Sequence, residues 1–121
     1  MSKRILVIED QEDNRRILRD LLTSASYEII EAVTGEEGVA LAETQRPDLI
    51  LMDIQLPGLD GYEATRRIKA NPALRGIPII AVTSYALSGD DVKAFQAGCD
   101  AYVTKPFSPR QLLAKIREYL P

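Results

Sequence analysis

The stretch LILMDIQLPGLDG, Leu49–Gly61, opens with four apolar residues in a row and closes that run on an acid, Asp53. A short run of this kind reads as a strand covered on both faces, because a strand with one wet face would alternate apolar with polar residues. Asp60, with Glu63 three positions on, then reads as the start of a helix.

The same alternation of strand and helix extends in both directions. Apolar runs at Arg4–Glu9 (RILVIE), Glu28–Ala32 (EIIEA), Ile77–Val82 (IPIIAV) and Ala101–Thr104 (AYVT) join Leu49–Asp53 as strands. The second is the most polar of them and is expected at an edge. Segments of helical period separate them, with Ile17, Leu18, Leu21 and Leu22 in the first and Leu112, Leu113, Ile116 and Leu120 in the last, each set expected to face the core. Thr34 with Glu37, and Ser108 with Pro109 and Gln111, are further helix starts, and Gly98 suits the end of a fourth helix placed near 86–97. Five strand and helix pairs predict an α/β doubly wound three-layer sandwich with a parallel sheet. Periodicity alone leaves the strand order open.

Composition narrows the function. The 121 residues suit one domain, 1–121, with no output domain expected beyond the fifth helix. Acidic residues outnumber basic ones 18 to 15, so there is no basic field for nucleic acid or an anionic membrane. No apolar run is long enough to span a bilayer and no signal peptide precedes the first strand, so a cytoplasmic protein is expected. With no histidine and a single cysteine, Cys99, chemistry has to rest on carboxylates, lysine and hydroxyls. Cys99 reads as a small buried packing residue, and the arginine pairs Arg15 with Arg16 and Arg66 with Arg67 read as solvated helix faces.

In an open parallel sheet, ligands bind beyond the carboxyl ends of the strands. Those ends carry Glu9 and Asp10, Asp53, Thr83 with Ser84, and Lys105 before Pro106. Each alone has a bland reading as a loop acid, a loop hydroxyl or a surface lysine. Together they bring three carboxylates, hydroxyls and an ammonium to one rim. Crowded carboxylates raise one another's pKa unless a cation sits among them, and hard oxygen donors suit Mg²⁺. Asp10 and Asp53 would bind it directly and Glu9 through water. Asp53 could then accept a phosphoryl group as an acyl phosphate, with Lys105 and Thr83 contacting its oxygens.

Glu9 and Asp10, LILMDIQLPGLDG (49–61), AVTS (81–84) and TKPF (104–107) resemble the response regulator receiver domains of two-component systems, over the whole chain. The resemblance implies a flavodoxin-like (βα)5 fold with strand order 2-1-3-4-5. It implies Asp53 as phospho-acceptor, Glu9 and Asp10 as the acidic pair, the backbone carbonyl of Gln55 as a further Mg²⁺ ligand and Lys105 as the phosphate's counter-charge. Thr83 and Tyr102 would form the switch, and Lys105–Pro106 would be a cis peptide. Gln55 and Tyr85, overhanging the phosphate, would tune its lifetime. PDLILMDIQLP (47–57), AVTSYALSGD (81–90) and GCDAY (98–102) look like single-domain regulators of the DivK type, which act on kinases in cell-fate control.

The expectation is therefore a phosphorelay switch and not an enzyme in the ordinary sense. A histidine kinase or histidine phosphotransfer protein would be the donor, and a downstream protein target or kinase would read the face formed by helix 4, strand 5 and helix 5. A pseudo-receiver scaffold is the alternative, although acceptor, acidic pair and lysine are all present. A haloacid-dehalogenase-like phosphatase would need a second Asp two positions beyond the first, where Gln55 stands, and a substrate-enclosing insertion.

Overall fold

A computed structural model describes residues 2–83 and 90–121. Five parallel strands, β1 (Arg4–Ile8), β2 (Glu28–Ala32), β3 (Leu49–Asp53), β4 (Ile79–Thr83) and β5 (Ala101–Thr104), form one sheet in the order β2-β1-β3-β4-β5. The helices are α1 (Glu12–Ser24), α2 (Gly35–Gln45), α3 (Gly61–Ala70), α4 (Asp90–Ala97) and α5 (Pro109–Tyr119). The doubly wound fold and its strand order are as the sequence and its resemblance implied.

Both faces of the central strands are buried, which accounts for their unbroken apolar runs. Ile5, Val7, Leu49, Leu51, Ile80 and Val82 pack with Leu18 and Leu22 of α1 and with Leu112 and Ile116 of α5. Their neighbours Leu6, Ile8, Ile50, Met52, Ile79 and Ala81 pack on the other face with Ala42, Ala64, Ile68 and Ala94 of α2, α3 and α4. The polar strand β2 lies at an edge. Cys99 is buried within the core, 3.7 Å from the Thr65 hydroxyl, and burial pushes its thiol pKa upward.

The helix starts are built from the expected side chains. Thr34 accepts from the Glu37 N–H and Asp60 from the Glu63 N–H, while Ser108 and Gln111 complete a reciprocal capping box with Pro109 at the first helical position. Glu37 reaches past the cap to the Val33 N–H, so the α2 box is shifted by one residue. Gly98, at φ +113, follows α4.

Several expectations need correction. The first strand stops at Ile8, one residue before Glu9, and the fourth begins at Ile79, two residues later than expected. Pro78 has no N–H for the ladder, although its carbonyl accepts from Ile50. Ile17 is not a core residue: it is 60% exposed, because α1 turns only Leu18 and Leu22 fully into the sheet. Arg15 is not a solvated residue either, its side chain being 12% exposed. The start expected for the fourth helix, with Ser84 and Tyr85, lies outside the described residues. No helix among the described residues is long and apolar enough to cross a membrane.

Candidate functional site

Register places the acids. Ile8 lies opposite Met52 in the β1 and β3 pairing, so the next rung sets Glu9 beside Asp53 at the carboxyl end of the sheet. Asp10 follows in the turn to α1, and carboxylate oxygens of Glu9, Asp10 and Asp53 all lie within 4.8 Å of one another. Glu9 is 1% exposed and Asp53 7%, and Asp10 is half-buried.

Two anions this close cannot both ionise at ordinary pKa values. Burial, reinforced by the hydrogen bond and the charge of Glu9, pushes Asp53 from 3.8 up to about 7. Burial also acts upward on Glu9. The hydrogen bond with Asp53, the Lys105 ammonium and the Gln11 N–H together outweigh it and hold Glu9 below its usual 4.5.

The surrounding contacts fix the acids in place. Lys105 Nζ lies 2.7 Å from Glu9 Oε1, and the Gln11 N–H donates to Glu9 Oε2 at 3.1 Å. The Gln55 N–H donates to Asp53 Oδ1 at 3.0 Å, tying Asp53 to the turn that follows it. The Gln11 side-chain amide donates to Asp10 Oδ2 at 3.3 Å. Lys105 stands before Pro106 with the cis peptide that the resemblance implied, and its N–H donates to the carbonyl of Thr83. That bond brings the end of β4 to the lysine.

The residues singled out from sequence thus converge. Glu9, Asp10, Asp53 and Lys105 meet directly. Thr83 closes β4, 2% exposed, one rung beyond the pair of Val82 with Asp53. Tyr102 is half-buried on β5 and packs on the core face shared with α2, α3 and α4. The Gln55 side chain is exposed beside the acids, and Tyr85 falls among the residues not described.

Gly61 was not singled out as a site residue, yet it sets the site. A Cβ there would stand 2.4 Å from the carbonyl oxygen of Asp53 and 2.7 Å from Cα of Ile54. Only glycine lets the start of α3 press against the backbone that carries Asp53. The visible signal was glycine as the first residue of a helix, directly after its Asp60 cap.

Chemically, the site offers hard oxygen donors for a divalent cation, a carboxylate nucleophile and an ammonium at one solvent-facing rim. The raised pKa of Asp53, caused first by burial and then by Glu9, points the same way, since a cation among the three acids would offset both.

Residues 5–117 match the response regulator receiver domain family. The polar-differentiation response regulator DivK of Brucella anthropi is 45% identical over 120 residues, covering 99% of this chain and 98% of that protein. Among solved structures, the receiver domain of the sensor histidine kinase PA1611 from Pseudomonas aeruginosa, which has a magnesium ion coordinated in its active-site cleft, is 40% identical with a TM-score of 0.93. Its match covers 99% of this chain and 98% of that one. A putative response regulator from Chloroflexus aurantiacus superposes with a TM-score of 0.95 at 29% identity, covering 99% and 98% of the two chains.

Proposed function

Because the chain belongs to the response regulator receiver family of two-component signalling, we propose that it is a phosphorylation switch whose acceptor is Asp53. The observation that carries this reading is the convergence of Glu9, Asp10 and Asp53 within 4.8 Å, beside the Lys105 to Glu9 ion pair.

An Asp53 carboxylate oxygen attacks the phosphorus of a phosphohistidine on a histidine kinase or phosphotransfer protein. The P–N bond breaks, its electron pair leaves with the donor's imidazole, and an acyl phosphate remains on Asp53. A bound Mg²⁺, held by Asp10, Asp53 and the Gln55 backbone carbonyl with Glu9 reaching it through water, would neutralise charge on the transferring oxygens. Deprotonating Asp53 is part of the same event, since only the carboxylate is a nucleophile. Lys105 exchanges its ion pair with Glu9 for one with the new phosphate, and the Thr83 hydroxyl turns toward it. Gln55, exposed beside the acids, would tune how long the phosphate survives; Tyr85, given the same role by the resemblance, lies outside the described residues.

Readout runs through α4, β5 and α5. Tyr102 is the reporting side chain: withdrawal of the Thr83 hydroxyl toward the phosphate opens space into which its ring can move. It lines a groove of mixed polar and apolar character with Thr104, Phe107, Gln111 and Lys115, and α4 carries the exposed apolar side chains Val92 and Phe95. The donor protein is received at the other flank of Lys105. There Asn14, Ile17, Leu18, Pro106 and Phe107 line a largely apolar cleft of about 430 Å³. The likeness to DivK supports a regulator whose phosphorylated surface binds a protein target or kinase.

The test is incubation with acetyl phosphate and Mg²⁺, followed by intact mass. One phosphoryl addition that needs Mg²⁺ and disappears in Asp53→Asn is expected. No addition to the folded, Mg²⁺-bound protein would favour a phosphorylation-independent scaffold.

A further inference from the structure

The turn that carries Glu9 and Asp10 is pinned from both sides. The Glu9 N–H donates to the carbonyl of Ala32 at the end of β2, at 3.0 Å. On the other side, the Glu9 carbonyl accepts from Arg15 Nη1, also at 3.0 Å. Arg15 is one helical turn into α1, and it is itself held in place. Its Nη2 pairs with Glu12, and its Nε lies 3.5 Å from Glu31 Oε1 on β2. Glu31 is in turn fixed by Arg19, whose Nε and Nη2 both donate to it at 2.7 Å. Arg19 and Arg15 together hold the Glu31 carboxyl below its usual pKa range.

We infer that Arg15 is a positioning residue for the divalent cation: through the Glu9 carbonyl it sets the peptide plane from which Asp10 projects. The inference rests on the Mg²⁺ reading of the acidic site. A peptide unit is planar, so fixing the oxygen of Glu9 also fixes the N–H and Cα of Asp10. Glu9 and Asp10 lie on consecutive positions of a turn with, among the described residues, no ladder partner beyond the Glu9 N–H, and the arginine supplies the missing constraint. A planar guanidinium holds the Glu9 carbonyl, Glu12 and Glu31 from three separate nitrogens in a fixed fork, a spread that the compact point charge of an ammonium does not reproduce. The chain of contacts from β2 through Glu31 and Arg15 to Glu9 thereby makes the edge strand part of the metal site's support. Partners of this kind, one bond removed from the metal ligands, typically change affinity by about 10- to 100-fold when lost.

The sign of the effect separates positioning from simple electrostatics. Removing a cation near the acidic cluster would strengthen Mg²⁺ binding if charge alone mattered, whereas losing the position of Asp10 weakens it. The experiment is calorimetric titration of Mg²⁺ into the full chain, comparing wild type, Arg15→Met, Arg15→Lys and Asp10→Asn, with urea unfolding of each in parallel. Arg15→Met keeps the aliphatic stem and loses every donor. Its Kd for Mg²⁺ is expected to rise about tenfold, with Arg15→Lys between it and wild type. The acetyl phosphate reaction of Arg15→Met should need correspondingly more Mg²⁺ yet approach the wild-type rate at saturation. A Kd that is unchanged or lower in Arg15→Met overturns the inference, even if stability falls. Should Arg15→Met not fold, a wild-type Kd in Arg15→Lys overturns it equally. Wild-type protein that binds no Mg²⁺, or whose binding survives Asp10→Asn, would sink the metal-site reading itself.

Discussion

Lys105 and Glu9 stand 96 positions apart in the chain, and their side chains meet at 2.7 Å across the carboxyl end of the sheet. Glu9 is 1% exposed, so the lysine is the charge that makes an ionised acid tolerable there. In the proposed phosphorylated state the same ammonium would be needed elsewhere. This ion pair is thus a resting contact that the proposed chemistry must break.

Lys105→Met should accordingly destabilise the metal-free protein by about 1 to 3 kcal/mol, since it leaves a buried carboxylate without its partner. Saturating Mg²⁺ should recover part of the loss by replacing the missing charge. Urea unfolding with and without Mg²⁺ checks both. A variant as stable as wild type in the absence of Mg²⁺ would mean that Glu9 does not depend on the lysine.

The raised pKa of Asp53 carries a pH signature. Its folded value of about 7 exceeds the ordinary 3.8, so between about pH 4 and 7 the native state binds more protons than the unfolded one, and this group's contribution to stability falls as pH rises. Glu9 acts oppositely: its lowered pKa contributes stability above about 4.5 that is lost on acidification. Above pH 5 the Asp53 effect should dominate. In metal-free protein, Asp53→Asn is expected to flatten the decline between pH 5 and 7 and to be the more stable form at pH 8. Unfolding curves across that range decide it, and an unchanged slope would show that Asp53 is already ionised at pH 5.

Mg²⁺ should compete with that proton. Its affinity is expected to increase with pH up to about 7 and then level off. Each bound ion should release part of a proton near neutrality, measurable as a buffer-dependent heat on titration. A pH-independent affinity from 5 to 8 would contradict the assignment.

Gly61→Ala should cost about 1 to 3 kcal/mol, because its Cβ meets backbone atoms that have no room to yield without shifting β3. Since the obstructed atom is the carbonyl of Asp53, the rate of phosphorylation by acetyl phosphate should fall as well. A variant with normal stability and rate would show that α3 can retreat from the acceptor.

Ser108→Ala removes a cap that sits three residues after Lys105 and should lower stability by about 1 kcal/mol. The Lys105 to Glu9 contact is made by side chains outside α5 and should survive. Little change in Mg²⁺ affinity is therefore expected alongside the lowered urea midpoint.

Much of this was legible from sequence because it is local. Apolar runs of four and five residues, helical spacing and cap pairs are set by neighbours in the chain, so the strand and helix alternation and the ends of most elements could be read directly. The rim residues were legible for a related reason: parallel strands all point one way, so whatever closes each strand, Asp53 on β3 or Thr83 on β4, arrives at the same edge. Tertiary structure alone decided the rest. Helical period could not tell that Ile17 lies outside the buried stripe of α1 while Leu18 lies within it, since that depends on how the helix is rotated against the sheet. Nor could it tell Arg15 from Arg16, adjacent residues of which one is drawn inward by the Glu9 carbonyl and Glu31 and the other pairs with Asp13 at the surface. The pairing of Lys105 with Glu9 and the closeness of Glu9 to Asp53 follow from strand order and register. These long-range relations are settled only when the two faces of the sheet are packed, and no local pattern of residues encodes them.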